Sequence, residues 1–486
     1  MAVDDTLLRY RTARGRWVLL ATVLGSSLAF IDATVVNIAL PSVGRDLHAD
    51  AAGLQWTING YALSLASLIL LGGSLGDHYG RRRLFCVGIA TFTVTSVLCA
   101  AAPDAGFLVA ARLAQGVGAA IMAPNVLSIL GTTYTGPARV KAISVYGMVM
   151  GIAAVGGQLL GGVLIAANVD GLGWRVIFWI NVPIGIAALA LARRLVPESR
   201  SAAGSTGPGR LDLRGATLFT AALVAIILPL LDGREQGWPA WSWACLAAGP
   251  VLLAVFAAHL RSKARSGGQP LLDPAIFAVR AFRAGLTCQV LFWCQQAASY
   301  LLLALYLQEG RGLSPIKAGG VFAVLAAGYL ATSLRAPALT MRFGRRVVAT
   351  GALVAGLGDL ALVLAVASNG GGAVAALFPG LFLLGAGQGL CITPLTTTVL
   401  AHADASRAGS VSGALATAQQ VGNAIGVAVS GVIFYGLLAD GRGYGAAYRW
   451  STAEMALLLA GVAALTFIIP RTVHHTGAAA GPRTEG

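Results

Sequence analysis

Fourteen apolar runs, each near the length of a membrane-spanning helix, leave this chain few folds to choose from. They fall near 17–40, 54–75, 84–102, 107–130, 142–166, 174–195, 213–231, 240–260, 282–307, 316–335, 346–367, 373–399, 408–437 and 453–470. A helix needs about 20 apolar residues to cross a bilayer core, and only helices and closed barrels satisfy their backbones there. The runs predict an all-α integral membrane protein. With 57% hydrophobic and only 11% charged residues, an ordinary soluble domain, at about 25% charged, is excluded.

The charges orient the helices. An even number of spans leaves both termini on one side. With the N-terminus inside, cytoplasmic segments hold 26 of the 34 Lys and Arg, external segments seven, and Arg112 falls within a helix. That asymmetry predicts cytoplasmic termini in a cell membrane. The net charge of +15 is spread over short connections, which argues against a nucleic-acid face. The six cysteines all sit inside apolar runs without metal-type spacing and read as small buried hydrophobes. The first run is too long for a signal-peptide core, so the N-terminus is expected to be retained.

Two polar stretches, 197–212 and 261–281, bracket the runs at 213–231 and 240–260. The first reads as a flexible linker. The organisation is then a six-helix bundle over 1–196, a linker with two inserted helices over 197–281, a second six-helix bundle over 282–470, and a tail, 471–486. A weak repeat supports two related halves. Pro337-Ala-Leu-Thr-Met-Arg-Phe-Gly344-Arg-Arg echoes Gly73-Ser-Leu-Gly-Asp-His-Tyr-Gly80-Arg-Arg, and paired repeats with a site between them build many secondary transporters.

The stretch 73–84 is a charged turn wedged between two long apolar runs. Gly73, Gly76 and Gly80 permit a tight reversal, and Arg81, Arg82 and Arg83 pin it to the cytoplasmic side. Asp77 adds an acid beside them.

Three charges lie inside predicted helices. Asp32 stands ~12 Å from the outer end of helix 1, and Arg112 ~9 Å from the outer end of helix 4. At such similar depth each is a natural partner for the other if the helices are neighbours. Paired, Asp32 stays ionised; unpaired in apolar surroundings it takes up a proton, which makes a proton switch. A structural ion pair and a snorkelling arginine are the plainer alternatives. Asp359, in helix 11, is a second intramembrane acid suited to proton coupling or to a cationic compound.

Helix 5 carries small residues around Gly157, Gln158, Gly161 and Gly162, a surface for close helix packing or for sliding. Helix 9 places Gln289, Trp293, Gln296 and Tyr300 on one face, where amides and aromatics suit a pocket for a large, mostly apolar compound; interhelical hydrogen bonding is the alternative. Helix 13 offers Thr417, Gln420 and Asn423 in the same way. No nucleotide-binding G-x-x-x-x-G-K-[ST], G-x-S-x-G or metalloprotease spacing occurs, so neither an enzyme nor a self-contained ATP-driven pump is expected. No cofactor or metal is called for.

The turn at 73–84 follows G-x-L-x-D-x-x-G-R-R-x-L and resembles the loop between the second and third helices of major facilitator transporters. Ile31-Asp-Ala-Thr-Val-Val-Asn-Ile-Ala-Leu-Pro41, the segment opening at Arg112, Trp174-Arg-Val-Ile-Phe-Trp-Ile-Asn-Val-Pro-Ile-Gly185, and 408–422 extend the likeness. Together they resemble the fourteen-span drug:proton antiporters of the major facilitator superfamily. The resemblance implies multidrug or antibiotic efflux driven by a proton gradient, with alternating access between two bundles. It implies proton handling at Asp32 and Arg112, and a conformation-steadying role for Gly73, Asp77, Gly80, Arg81 and Arg82. Where such antiporters usually carry Gly-Pro-x-x-Gly-Gly in helix 5, this chain has Gly157-Gln-Leu-Leu-Gly161-Gly162. The alternative substrate is a single metabolite or self-produced natural product.

Overall fold

Short polar side chains set where the apolar runs begin to coil. Thr12 Oγ1 accepts from the Gly15 N–H at 3.1 Å, Asp50 from Gly53 at 2.8 Å, and Asp104 from Phe107 at 2.8 Å. The computed structural model describes residues 12–134, 136–199, 212–233, 236–268, 270–369, 372–401 and 408–468. Its long helices are α1 (Ala13–Leu47), α2 (Ala51–Tyr79), α3 (Arg81–Ala100), α4 (Ala105–Thr133), α5 (Gly136–Ala167), α6 (Gly173–Leu195) and α7 (Leu213–Asp232). They continue as α8 (Ala240–Arg265), α9 (Arg280–Leu305), α10 (Pro315–Ser333), α11 (Arg346–Asn369), α12 (Phe378–Ala401), α13 (Ala408–Ala439) and α14 (Tyr444–Thr466). Most of the expected linker, 200–211, and the whole tail, 471–486, lie outside the described residues.

Among the described residues twelve helices are long and apolar enough to cross a membrane, where the sequence predicts fourteen spans. The two others have physical reasons for falling short. The described apolar pieces of α5, Lys141–Met150 and Gly156–Ala167, are each shorter than a span. Helix α14 carries Arg449 and Glu454 within its 23 residues, which dilutes its apolar character.

Packing divides the helices into two groups. In the first, α4 lies between α2 and α3, while α1 rests on α5 and α6. In the second, α12 lies between α10 and α11, and α9 rests on α13 and α14. The groups meet along two seams, α2 with α13 and α5 with α10, and α1 touches α9. Helices α7 and α8 pack on each other, and α7 also lies against α2 and α13, so the extra pair flanks one seam. Glycine makes these approaches close. A Cβ on Gly162 would stand 2.6 Å from the Pro315 carbonyl across the α5–α10 seam.

Where α1 ends, at the far end of the bundle, the groups are tied together. Arg45 and Glu309 form an ion pair at 3.4 Å, and Gln308 Nε2 donates to the Ile38 carbonyl at 3.0 Å. The near end, where α1 begins, holds the charged turn between α2 and α3.

Candidate functional site

A carboxylate and a guanidinium cannot stay buried among apolar side chains unless most of their polar atoms find partners. Asp32 on α1 is 0% exposed and Arg112 on α4 is 1% exposed. Arg112 Nη1 donates to Asp32 Oδ2 and, at 2.6 Å, to Gln115 Oε1, while its Nε donates to the Thr57 carbonyl on α2 at 2.9 Å. The other carboxylate oxygen, Asp32 Oδ1, accepts from Gln115 Nε2 at 3.1 Å and from Asn181 Nδ2 on α6 at 3.0 Å. Both amides also donate to Ser96 Oγ on α3. The Tyr61 ring of α2 lies 4.3 Å from the guanidinium carbon, a cation–π contact. Five helices of the first group thus converge on one charge pair.

Beside this knot, between the two groups, is a cavity of about 90 Å³. Arg112, Tyr61, Phe30, Thr34 and Asn37 form one wall; Trp293, Gln296, Tyr300, Gln420 and Asn423 form the other. Tyr300 is held by its hydroxyl, which donates to Gln388 Oε1 at 2.9 Å. Gln420 Oε1 accepts from Asn423 at 3.1 Å.

The structure separates two expected site residues from this centre. Gln289 is not in the cavity wall. It lies two turns nearer the start of α9, where its Nε2 donates to Thr396 Oγ1 at 3.0 Å and its Oε1 accepts from Trp293 Nε1 at 2.8 Å. Asp359 is 0% exposed within the second group. Its Oδ2 accepts from Gln295 Nε2 at 3.2 Å, and its Oδ1 has no partner among the described residues. Asp32 and Asp359 therefore sit in different groups of helices.

The near-end turn is built as a latch. Asp77 Oδ1 accepts from Arg81 Nη2 at 2.7 Å, one helical turn on. Gly80 has φ +110°, and a Cβ there would meet Glu198 Oε1 at 2.7 Å. That same oxygen accepts the Arg82 N–H at 3.1 Å, just past the end of α6. The second group repeats the device: Gly344 has φ +55°, and Arg345 Nη1 donates to the Phe467 carbonyl, just past α14, at 2.7 Å. Gly73 sits against Pro124 of α4, where a Cβ would stand 3.4 Å from Pro124 Cβ.

On α5, Gly157 faces Thr34 and Gly161 faces Val35, both on α1, whereas Gly162 faces α10. Gln158 is 0% exposed, and neither of its amide atoms has a partner among the described residues.

Sequence reasoning overlooked Gln115, Asn181, Ser96 and Tyr61 in the knot, and Asn37 and Gln419 in the cavity wall. Usable signals existed for three of them. Asn37 and Asn181 lie in the stretches 31–41 and 174–185 that carry the family likeness. Gln115 follows Arg112 by three residues, so it shares its helix face.

The sequence matches the profile of the Major Facilitator Superfamily over residues 22–427. It is 37% identical over 433 residues to a Streptomyces coelicolor protein named "Probable actinorhodin transporter", covering 87% of this chain and 73% of that one. It is 34% identical over 475 residues to the "Cephamycin export protein CmcT" of Amycolatopsis lactamdurans, covering 96% and 95%. Its fold resembles the crystal structure of an auto-inhibited POT family peptide transporter, with a TM-score of 0.67 at 18% identity, covering 96% and 99% of the two chains.

Proposed function

The chain belongs to the Major Facilitator Superfamily, and from that premise we propose that it exports antibiotic- or drug-like compounds in exchange for protons. It is a multi-pass membrane transporter, not an enzyme. The observation that carries the proton half of the reading is the Asp32–Arg112 pair, fully buried yet adjoining the cavity through Arg112.

In this reading all fourteen long helices span the cell membrane and both termini are cytoplasmic. Residues 1–196 and 282–470 are the two bundles, joined by a linker with the inserted pair over 197–281. The far end then faces outward and is shut by Arg45–Glu309 and Gln308. A cavity of about 90 Å³ is well below the roughly 300–1,000 Å³ of a drug-sized site, so the bundles must part to admit cargo.

Facing outward, Asp32 takes a proton and releases Arg112 as the compound leaves. Facing inward, a compound entering the cavity draws Arg112 back onto Asp32, and that proton is expelled into the cytoplasm. Gln115 and Asn181 hold the carboxylate at the depth where this exchange occurs. Asp77 with Arg81 and Arg82 steadies the near end, Gly157, Gly161 and Gly162 let α5 slide on α1 and α10, and Asp359 is a second proton-accepting acid. A transporter dedicated to one natural product is the second reading, favoured by relatives named for single antibiotics.

The test is transport in proteoliposomes with an imposed pH gradient, wild type against Asp32→Asn. Compound-dependent dissipation of the gradient, lost in the variant, is expected. Transport without proton movement in the wild type rules out antiport. A fully coupled variant makes Asp32 structural and moves attention to Asp359.

A further inference from the structure

Among the described residues the cavity wall contains one charged side chain, Arg112, and no carboxylate. Asp32 does not line the space, and both its oxygens are already engaged by Arg112, Gln115 and Asn181. The guanidinium end of the pair, not the carboxylate end, faces the cargo. The rest of the polar wall is uncharged, with the amides of Asn37, Gln296, Gln419, Gln420 and Asn423 beside the hydroxyls of Thr34, Tyr61 and Tyr300. Among the aromatic rings, the face of Tyr61 is already taken by Arg112.

Taking the cavity as the export site proposed above, we infer that its cargo is an uncharged or anionic aromatic compound rich in carbonyl and hydroxyl oxygens, and that organic cations are selected against. A cation entering this space is stripped of water beside the guanidinium end of the Asp32–Arg112 pair, with no carboxylate among the described wall residues to compensate it. Amides, by contrast, both donate to carbonyls and accept from hydroxyls, so such a compound replaces its lost water bonds. Trp293, Tyr300 and Phe30 offer ring faces for stacking. An acid or phenolate gains further from Arg112.

The experiment is equilibrium binding to the full chain in nanodiscs at pH 7, with empty nanodiscs as the blank. The probes are three compounds of similar size: tetraphenylphosphonium, triphenylphosphine oxide and tetraphenylborate. In the wild type the cation is expected to bind at least about tenfold more weakly than either other probe. Gln296→Glu, and separately the less buried Gln420→Glu, place a carboxylate in the wall and are expected to reverse that order. Equal or tighter binding of the cation to the wild type overturns the inference. So does an unchanged preference in both folded variants, or no binding of any probe. Transport of the same probes is measured separately. A charge preference in binding with no transport defeats the exporter reading alone, and transport with no charge preference defeats this inference alone.

Discussion

Glu198 accepts the backbone N–H of Arg82 at 3.1 Å across 116 residues of sequence. The contact closes the turn between α2 and α3 onto the end of α6, and it explains why glycine is needed at position 80. With φ +110° and Glu198 Oε1 only 2.7 Å from where a Cβ would stand, any side chain there is both strained and crowded.

Gly80→Ala is therefore expected to lower stability by about 1–3 kcal/mol, read as a lower Tm in detergent. Glu198→Gln keeps an oxygen for the Arg82 N–H and loses only the charge. The Arg82–Glu198 side chains are 35% and 24% exposed, and such a pair is worth less than about 1 kcal/mol. Its Tm is expected to stay close to wild type. A larger drop for Glu198→Gln than for Gly80→Ala sinks this account of the latch.

Gln115→Leu strips an acceptor from Arg112 and a donor from Asp32 and Ser96 at once. Leaving a buried polar group unsatisfied costs about 1–3 kcal/mol, so a clear Tm loss is expected without any contact to cargo. Double mutation with Ser96→Ala is expected to cost less than the two single losses added, because the residues share one network.

Asp212 caps α7 at its start and is tied to α8. Burial pushes its carboxyl up, but hydrogen bonds from His259, the Gly215 and Leu271 N–H groups and Lys263 outweigh that and hold it below its ordinary 3.8. A carboxyl lowered by folding stabilises the fold fully above its unfolded value, and that contribution fades as pH falls through the folded one. Thermal unfolding is thus expected to lose this increment only below pH 3.8, and Asp212→Asn is expected to lack the step. An identical acid limb in the variant refutes the linkage.

Gln158 hides both amide atoms, without partners among the described residues, in the α5 surface that meets α1 and α10. Gln158→Leu removes that penalty while keeping similar volume, and a gain on the order of 1 kcal/mol is expected. Unchanged or reduced thermal stability of the variant shows that the amide is satisfied in solution.

Several features could be read from the chain because they are local. The apolar runs needed only their length, and Asp32 and Arg112 were conspicuous as charges at matched depth in hydrophobic surroundings. The reversal within 73–84 was legible only in part: Gly80 and the arginines after it mark the break, whereas Gly73, Gly76 and Asp77, expected in the turn, lie in the last turns of α2, and 81–84 already belong to α3. The glycines of α5 were likewise visible as a smooth face, although not which neighbour each would meet.

The tertiary structure decided the rest, because it alone sets which helix faces which. Gln289 and Gln296 share a helical face in the sequence, yet packing against α12 gave Gln289 to Thr396 and left Gln296 to the cavity. Gln115, Asn181 and Ser96 come from three helices, and nothing in their own segments says they meet at one carboxylate. An amide in an apolar run has the same composition whether it binds cargo, holds a charge or faces a neighbouring helix. Asp359 shows the converse: an intramembrane acid visible in the sequence, it has an amide and no guanidinium as partner among the described residues. The chain determined that charges would be buried, and the assembly of helices determined which of them would be paired.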